Sequence, residues 1–137
     1  MVLIVAGLFL FFEYVNAPQV GEPVPEDSLQ YFGNEATGDL TGDGLEDRAF
    51  LIFDQPGGSG TFYYVVAEIN IGNGDFRKTN SVFLGDRIAP QTTEIRDGRL
   101  IVNYAERKSG EEMTARPSVG VSKYLKVENF QLVEFIP

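Results

Sequence analysis

The chain has 137 residues, with 20 acidic and 11 basic side chains, no His, no Cys and no Trp, and a formal charge of -9. Without His or Cys it has no Ser-His-Asp triad, no thiol nucleophile, no disulfide, and no ordinary zinc or haem site. Its acidity and the lack of a basic cluster argue against nucleic acid as a partner.

The charge is unevenly placed. Nine acids (Glu13, Glu22, Glu26, Asp27, Glu35, Asp39, Asp43, Glu46 and Asp47) precede the first base, Arg48. The remaining 20 - 9 = 11 acids match all 11 bases, so residues 48–137 sum to zero. The length suits one globular unit. Eleven Phe, six Tyr and fifteen Gly favour β-structure with tight turns over a helical bundle.

Residues 1–12, MVLIVAGLFLFF, are apolar without interruption. The run is shorter than the ~20 residues of a spanning helix and has no basic flank before it. It adjoins a tether, so residues 1–15 are expected to be a membrane-anchor or assembly segment, with Tyr14 at the interface. Such an anchor places the rest outside the cytoplasmic membrane, at the cell envelope or surface. The competing reading is a buried first strand or core helix. Residues 16–30, NAPQVGEPVPEDSLQ, carry three prolines and several acids and read as a semi-rigid spacer. The alternative for this stretch is a surface arm packed on the domain.

Residues 31–137 read as a β domain of short strands between Gly, Asn and Asp turns. A turn of helix near Ser28–Phe32 is the one helical feature considered. Arg48–Asp54 is a central strand buried on both faces, and Gln55–Gly60 a glycine loop. Thr61–Asn70 is the strongest strand. Gly72-Asn73-Gly74-Asp75 turns the chain into a strand over Phe76–Leu84. Gly85–Pro90 connects to strands at Gln91–Arg96 and Arg99–Glu106, which flank the hairpin dipeptide Asp97-Gly98. Residues 107–118 form a polar loop, and Val119–Glu128 and Phe130–Phe135 a last hairpin. The expected fold is all-β, an antiparallel meander of six or seven strands curled into a sandwich or open barrel.

One segment carries recognisable chemistry. In Gly38-Asp39-Leu40-Thr41-Gly42-Asp43-Gly44-Leu45-Glu46-Asp47, oxygen side chains fall at positions 1, 3, 5 and 9 of a calcium loop. Gly44 takes the sharp turn at position 6, and the Leu45 carbonyl stands at position 7. The expected ligands of one Ca2+ are thus Asp39, Thr41, Asp43, Leu45 and Asp47. Four acids within nine residues repel one another, which is a physical reason to expect a cation. The alternative is a solvated Asp-Gly turn without an ion.

Position 12 is Phe50 instead of the bidentate Glu of an EF-hand, and a strand follows instead of a helix. GDLTGDGLEDRAFLIF, residues 38–53, resembles the DxDxDGxxD loop of FG-GAP and VCBS-type repeats, which runs straight into an apolar strand. Thr41 stands where Asn or Asp is usual. The resemblance covers about 16 residues, and one copy cannot make the propeller those repeats build. The chain from Tyr31 is also similar to a domain of small uncharacterised bacterial envelope proteins. The likeness rests on GDLTGDG, GGSGTFYYV, VFLGDRIAPQ, RDGRLIVNYA and SVGVSKYLKVEN. That resemblance implies an N-terminal membrane segment and no particular activity.

Other groups point to plainer roles. Asp86 and Arg87, with the 56–60 glycine loop, suggest a shared rim, but PGGSG has no phosphate-loop spacing. Asp54, Glu68, Glu94 and Glu106 suit surface salt bridges better than a hydrolase pair. Arg107-Lys108 and Glu111-Glu112 read as a mobile solvated loop. Tyr63 and Tyr64 put one ring on each face of their strand, so one is expected at the outer surface, where the alternatives are a recognition role and the commoner partial burial.

The expected function is therefore a non-enzymatic, calcium-binding extracytoplasmic domain tethered at the envelope, in a structural or interaction role. The first alternative is a subunit of a surface filament assembling through residues 1–15. The second is a small carboxylate-dependent hydrolase.

Overall fold

The computed structural model describes residues 28–137, so the expectations for residues 1–15 and 16–27 lie outside the described residues. The described chain is all-β, with nine strands. These are β1 (Gln30–Gly38), β2 (Asp47–Asp54), β3 (Phe62–Gly72), β4 (Asp75–Lys78) and β5 (Val82–Asp86), then β6 (Ala89–Arg96), β7 (Arg99–Glu106), β8 (Val119–Glu128) and β9 (Gln131–Phe135). Every ladder is antiparallel. One sheet runs β1-β2-β3 with β4 and β5 both on the far edge of β3, and the second runs β6-β7-β8-β9. Six of the seven ladders join chain neighbours and the seventh joins β3 to β5, so each sheet is close to the expected antiparallel meander. Among the described residues no helix is long and apolar enough to cross a membrane.

The strand count exceeds the expected six or seven for two reasons. The turn of helix considered near Ser28–Phe32 is limited to a 3-10 turn at Ser28, because Tyr31 and Phe32 already belong to β1, which pairs with β2. The single strand expected over Phe76–Leu84 is split at Thr79–Ser81. At the break Thr79 donates its N–H to the Ala67 carbonyl (2.9 Å), while its hydroxyl oxygen accepts the Ala67 N–H (3.0 Å). A side-chain oxygen has replaced a ladder carbonyl there, so β3 keeps its partners while the edge strand bends.

The local chemistry explains the turns. Asn73-Gly74 and Asp97-Gly98 have positive φ at both positions (57° and 82°, 53° and 76°), the pair a type I′ hairpin requires. Period-2 alternation then sets the faces. Ala49 and Leu51 of β2, Val65, Ala67 and Ile69 of β3, and Leu84 of β5 meet Leu100, Val102 and Tyr104 of β7, Leu125 of β8 and Leu132 of β9 in one core. Each fully buried Val or Leu there contributes about 1.5–3 kcal/mol. Leu40, from the β1–β2 loop, and Ile88, from the β5–β6 connection, join the same cluster.

No ladder joins the two sheets, and side chains make the seams instead. On one side Asn34, left-handed at φ 51°, donates from Nδ2 to the Gln91 carbonyl (3.3 Å). Nearby, β1 approaches β6 so closely that a Cβ on Gly38 would lie 2.5 Å from Cγ2 of Ile95, which glycine alone permits. On the other side the Asn80 amide imitates a strand. Its Oδ1 accepts the Leu132 N–H (2.6 Å) and its Nδ2 donates to the Leu132 carbonyl (3.2 Å).

Candidate metal loop and neighbouring sites

The acidic loop lies between β1 and β2 and is folded by its own carboxylates. Gly42 and Gly44 take left-handed φ of 81° and 84°, which turns successive backbone N–H groups inward. Asp39 collects them. Its Oδ1 accepts from Thr41 (3.2 Å) and Gly42 (2.8 Å), and its Oδ2 from Gly44 (2.8 Å). The Gly44 N–H is the main cause holding the Asp39 carboxyl below the usual carboxylate range; partial desolvation opposes it, and Gly42 and Thr41 reinforce it. Asp43 turns back on its own loop, where Oδ1 accepts the Leu45 N–H (2.9 Å).

Asp47 behaves differently, because β2 carries it inward in phase with Ala49 and Leu51. It is 0% exposed. Its Oδ2 accepts the Leu40 N–H (2.7 Å) and its Oδ1 the Asn70 N–H (2.8 Å). Asn70 answers by donating from Nδ2 to the Glu46 carbonyl (3.2 Å) and accepting the Gly72 N–H on Oδ1 (2.9 Å). One buried carboxylate thereby pins the loop to the β3–β4 hairpin and holds Leu40 over the core. A buried charge is tolerated when its lone pairs are met in this way.

The five expected ligands thus share one loop, but their tasks differ. Asp39 and Asp47 spend both oxygens on backbone N–H groups, Asp43 serves Leu45, and Thr41 and Leu45 are exposed. Among the described residues no group of three or more acidic side chains is placed to hold a metal ion. The donor chemistry, all hard oxygen, suits calcium.

The other singled-out residues also find structural partners. Asp86 accepts the Thr61 N–H on Oδ1 (2.9 Å) and pairs with Arg87 through Nη2–Oδ2 (3.1 Å). Burial pushes the Asp86 carboxyl up, but the Arg87 hydrogen bond, the Thr61 N–H and the charges of Arg87 and Arg107 outweigh it, so the net shift is downward. Arg107 donates from Nη1 to the Arg87 carbonyl and from Nε to the Ala115 carbonyl, both at 2.8 Å. The 107–118 segment, expected to be solvated and loose, is therefore fastened at Arg107, because a planar guanidinium can serve two carbonyls at once. Glu68 and Glu94 form the expected salt bridges, with Arg48 (2.6 Å) and Arg96 (3.7 Å).

Tyr63 and Tyr64 do face opposite ways. The Tyr63 ring stands 5.4 Å from Phe32 and packs on the core, whereas Tyr64 lies 5.4 Å from Phe83 on the outer side of the sheet. The Tyr104 hydroxyl is pushed up to about 12, first by burial and then by Glu106 and Glu134. Sequence reasoning passed over Asn70, Asn80 and the buried role of Asp47. A signal existed for Asp47, since it falls on the inward phase of β2. The two asparagines carry none, because their partners lie 24 and 52 residues away. No family model, curated protein or solved structure matches the chain.

Proposed function

We propose that residues 31–137 form a non-enzymatic domain held at the cell envelope, with residues 1–15 as its membrane anchor and residues 16–30 as its spacer. Its role is structural or in interaction. The observation that supports this reading most is where the candidate chemical groups direct their polar atoms. Asp39, Asp47, Asp86 and Arg107 all bond to backbone groups of the domain itself, which is the pattern of a scaffold. Calcium at Asp39, Thr41, Asp43, Leu45 and Asp47 is proposed on the spacing alone.

Membrane fractionation of cells expressing the full chain tests the tether. The full chain is expected in the membrane fraction, and deletion of residues 1–15 should release it. An unchanged distribution refutes the tether, and loss of filaments on the same deletion moves the reading to the surface polymer.

A further inference from the structure

We propose that the outer face of the first sheet is a membrane-docking surface, laid on the interfacial zone of the bilayer to which the anchor holds the domain. The inference rests on the tether reading and adds the surface that meets the lipid.

Residues directly opposite one another in a ladder share a face. The registers Tyr31↔Ile52, Ile52↔Tyr64 and Tyr64↔Phe83 therefore lay one apolar row across four strands. Phe50↔Val66 forms a second row beside it, and Phe62 extends the patch toward the glycine loop. All of these alternate with the core-facing Leu51 and Val65, so they point away from the core. The rings touch in sequence: Tyr31 is 5.2 Å from Phe50, Tyr64 is 5.4 Å from Phe83, and Phe62 is 6.4 Å from Phe83. Val66 and Ile52 lie beneath them, only 0% and 6% exposed, while Tyr31 and Phe83 at the two edges are 59% and 50% exposed.

The second sheet shows what an ordinary wetted face of this protein looks like. Its outer side carries a hydroxyl–amide chain, with Asn103 donating to Thr92 (2.8 Å) and Ser122 donating to Asn103 (2.6 Å). Ion pairs Glu94–Arg96 and Lys126–Glu128 lie on the same sheet, and the half-buried Phe135 ring is flanked by Arg99 and Lys126. On the aromatic face of the first sheet the charged groups stand at the two ends: Arg48 pairs with Glu68 and lies 4.3 Å over Phe76, and Asp54, 6% exposed, lies opposite Phe62.

The occupant follows from charge and from where the chain enters. Arg48 and Lys78 flank Glu68 at one end of the face and Asp54 stands opposite Phe62 at the other, so the rim carries charges of both signs and no basic cluster for an anionic partner. An aromatic surface rimmed by charges of both signs fits the zone between headgroup and acyl chain, where amphipathic aromatic rings are favoured. The described chain begins at Ser28, three residues before Tyr31 on the edge strand of this face. The twelve residues 16–27 reach at most about 40–43 Å whatever their conformation. That reach keeps the bilayer at a high effective concentration beside this edge.

Because the chain has no Cys, a single-cysteine variant reports one position cleanly. The full chain with Phe83→Cys, carrying an environment-sensitive fluorophore and reconstituted into phosphatidylcholine vesicles, is compared with Ser122→Cys on the second sheet. The expected result is a blue shift and loss of iodide quenching at position 83, with neither at position 122. Equal quenching at both positions, on protein that floats with the vesicles, overturns the docking surface and leaves the tether standing. Failure to float overturns both. Protection at position 83 that precedes vesicle addition, or grows with protein density in the bilayer, assigns the face to residues 1–15 or to a second copy and overturns the lipid reading. Circular dichroism melts of both variants verify the fold.

Discussion

Replacing Asp47 by Ala removes a fully buried carboxylate and leaves two backbone donors, Leu40 and Asn70, without partners. A hydrogen bond to a charged acceptor contributes about 1.5–3 kcal/mol, and a buried donor left unmet costs a comparable amount. Two such bonds, 2.7 and 2.8 Å long, put the loss at about 3–5 kcal/mol, a large part of the ~5–15 kcal/mol available to a domain. Asp47→Asn keeps the shape, but its NH2 group opposes one of the two N–H donors, so about 2–3 kcal/mol should be lost. Urea unfolding of the full chain followed by far-UV circular dichroism reads the effect. At an m-value of ~1.5–2 kcal/mol/M, the Ala variant should unfold roughly 2 M earlier. Hydrogen exchange should show the Leu40 and Asn70 amides losing protection together. Asp43→Ala, at an exposed residue with one local bond, is the control and should stay within ~1 kcal/mol of wild type. An Asp47→Ala variant as stable as wild type, or an Asp43→Ala variant equally damaged, would falsify the account of the loop as hung from one buried carboxylate.

Three further outcomes follow from the structure. Asn80→Ala breaks both bonds to Leu132 and should cost about 1–2 kcal/mol, with faster amide exchange at Leu132; unchanged exchange there refutes the seam. Tyr104 stays neutral in the folded chain up to about 12, whereas an unfolded Tyr ionises near ~10, so the unfolded state binds fewer protons between those values and stability must fall as pH rises through them. Ultraviolet titration should show Tyr104 ionising last, behind Tyr63 and Tyr64, which burial also shifts upward, and the absence of that late step removes the contribution. If calcium binds the loop, melting in calcium should exceed melting in EGTA by up to ~2.7 kcal/mol at a hundredfold excess over the dissociation constant, and Asp43→Ala should abolish the difference. No difference for wild type leaves Asp39 and Asp47 as the loop's sole organisers.

Much of the fold is written in local pattern. The dipeptides Asn73-Gly74 and Asp97-Gly98 name their turns because few residues tolerate paired left-handed φ, and β8 begins and ends where alternation places it, at Val119 and Glu128. The split of Phe76–Leu84 was invisible, since its cause is a hydroxyl reaching the backbone of Ala67, twelve residues earlier. β1 was blurred for a similar reason: Gly33 and Asn34 take positive φ and shift its register, which erases the period-2 signal. In the candidate loop the spacing singled out Asp39 and Asp47 as ion ligands, yet spacing alone does not separate a carboxylate that binds an ion from one that binds N–H groups, as both do here. The aromatic face needed register, because Tyr31, Ile52, Tyr64 and Phe83 come together only when four strands are laid side by side.

The seams also bear on how the chain reaches this structure. Each of the seven ladders joins strands that are close in the chain, and three of their turns, at Asn73-Gly74, Asp97-Gly98 and Asn129-Phe130, have both φ values positive. Hairpins of that kind close within microseconds and at small loop-entropy cost. The bonds that span long stretches are few and made by side chains, Asn34 to Gln91 and Asn80 to Leu132, at separations of 57 and 52 residues. Two half-molecules, residues 30–86 and 89–135, are thus each able to zip up from local pairs, and their docking through the shared core is the step expected to come last. Changes at Asn80 should therefore speed unfolding and leave the folding rate almost untouched.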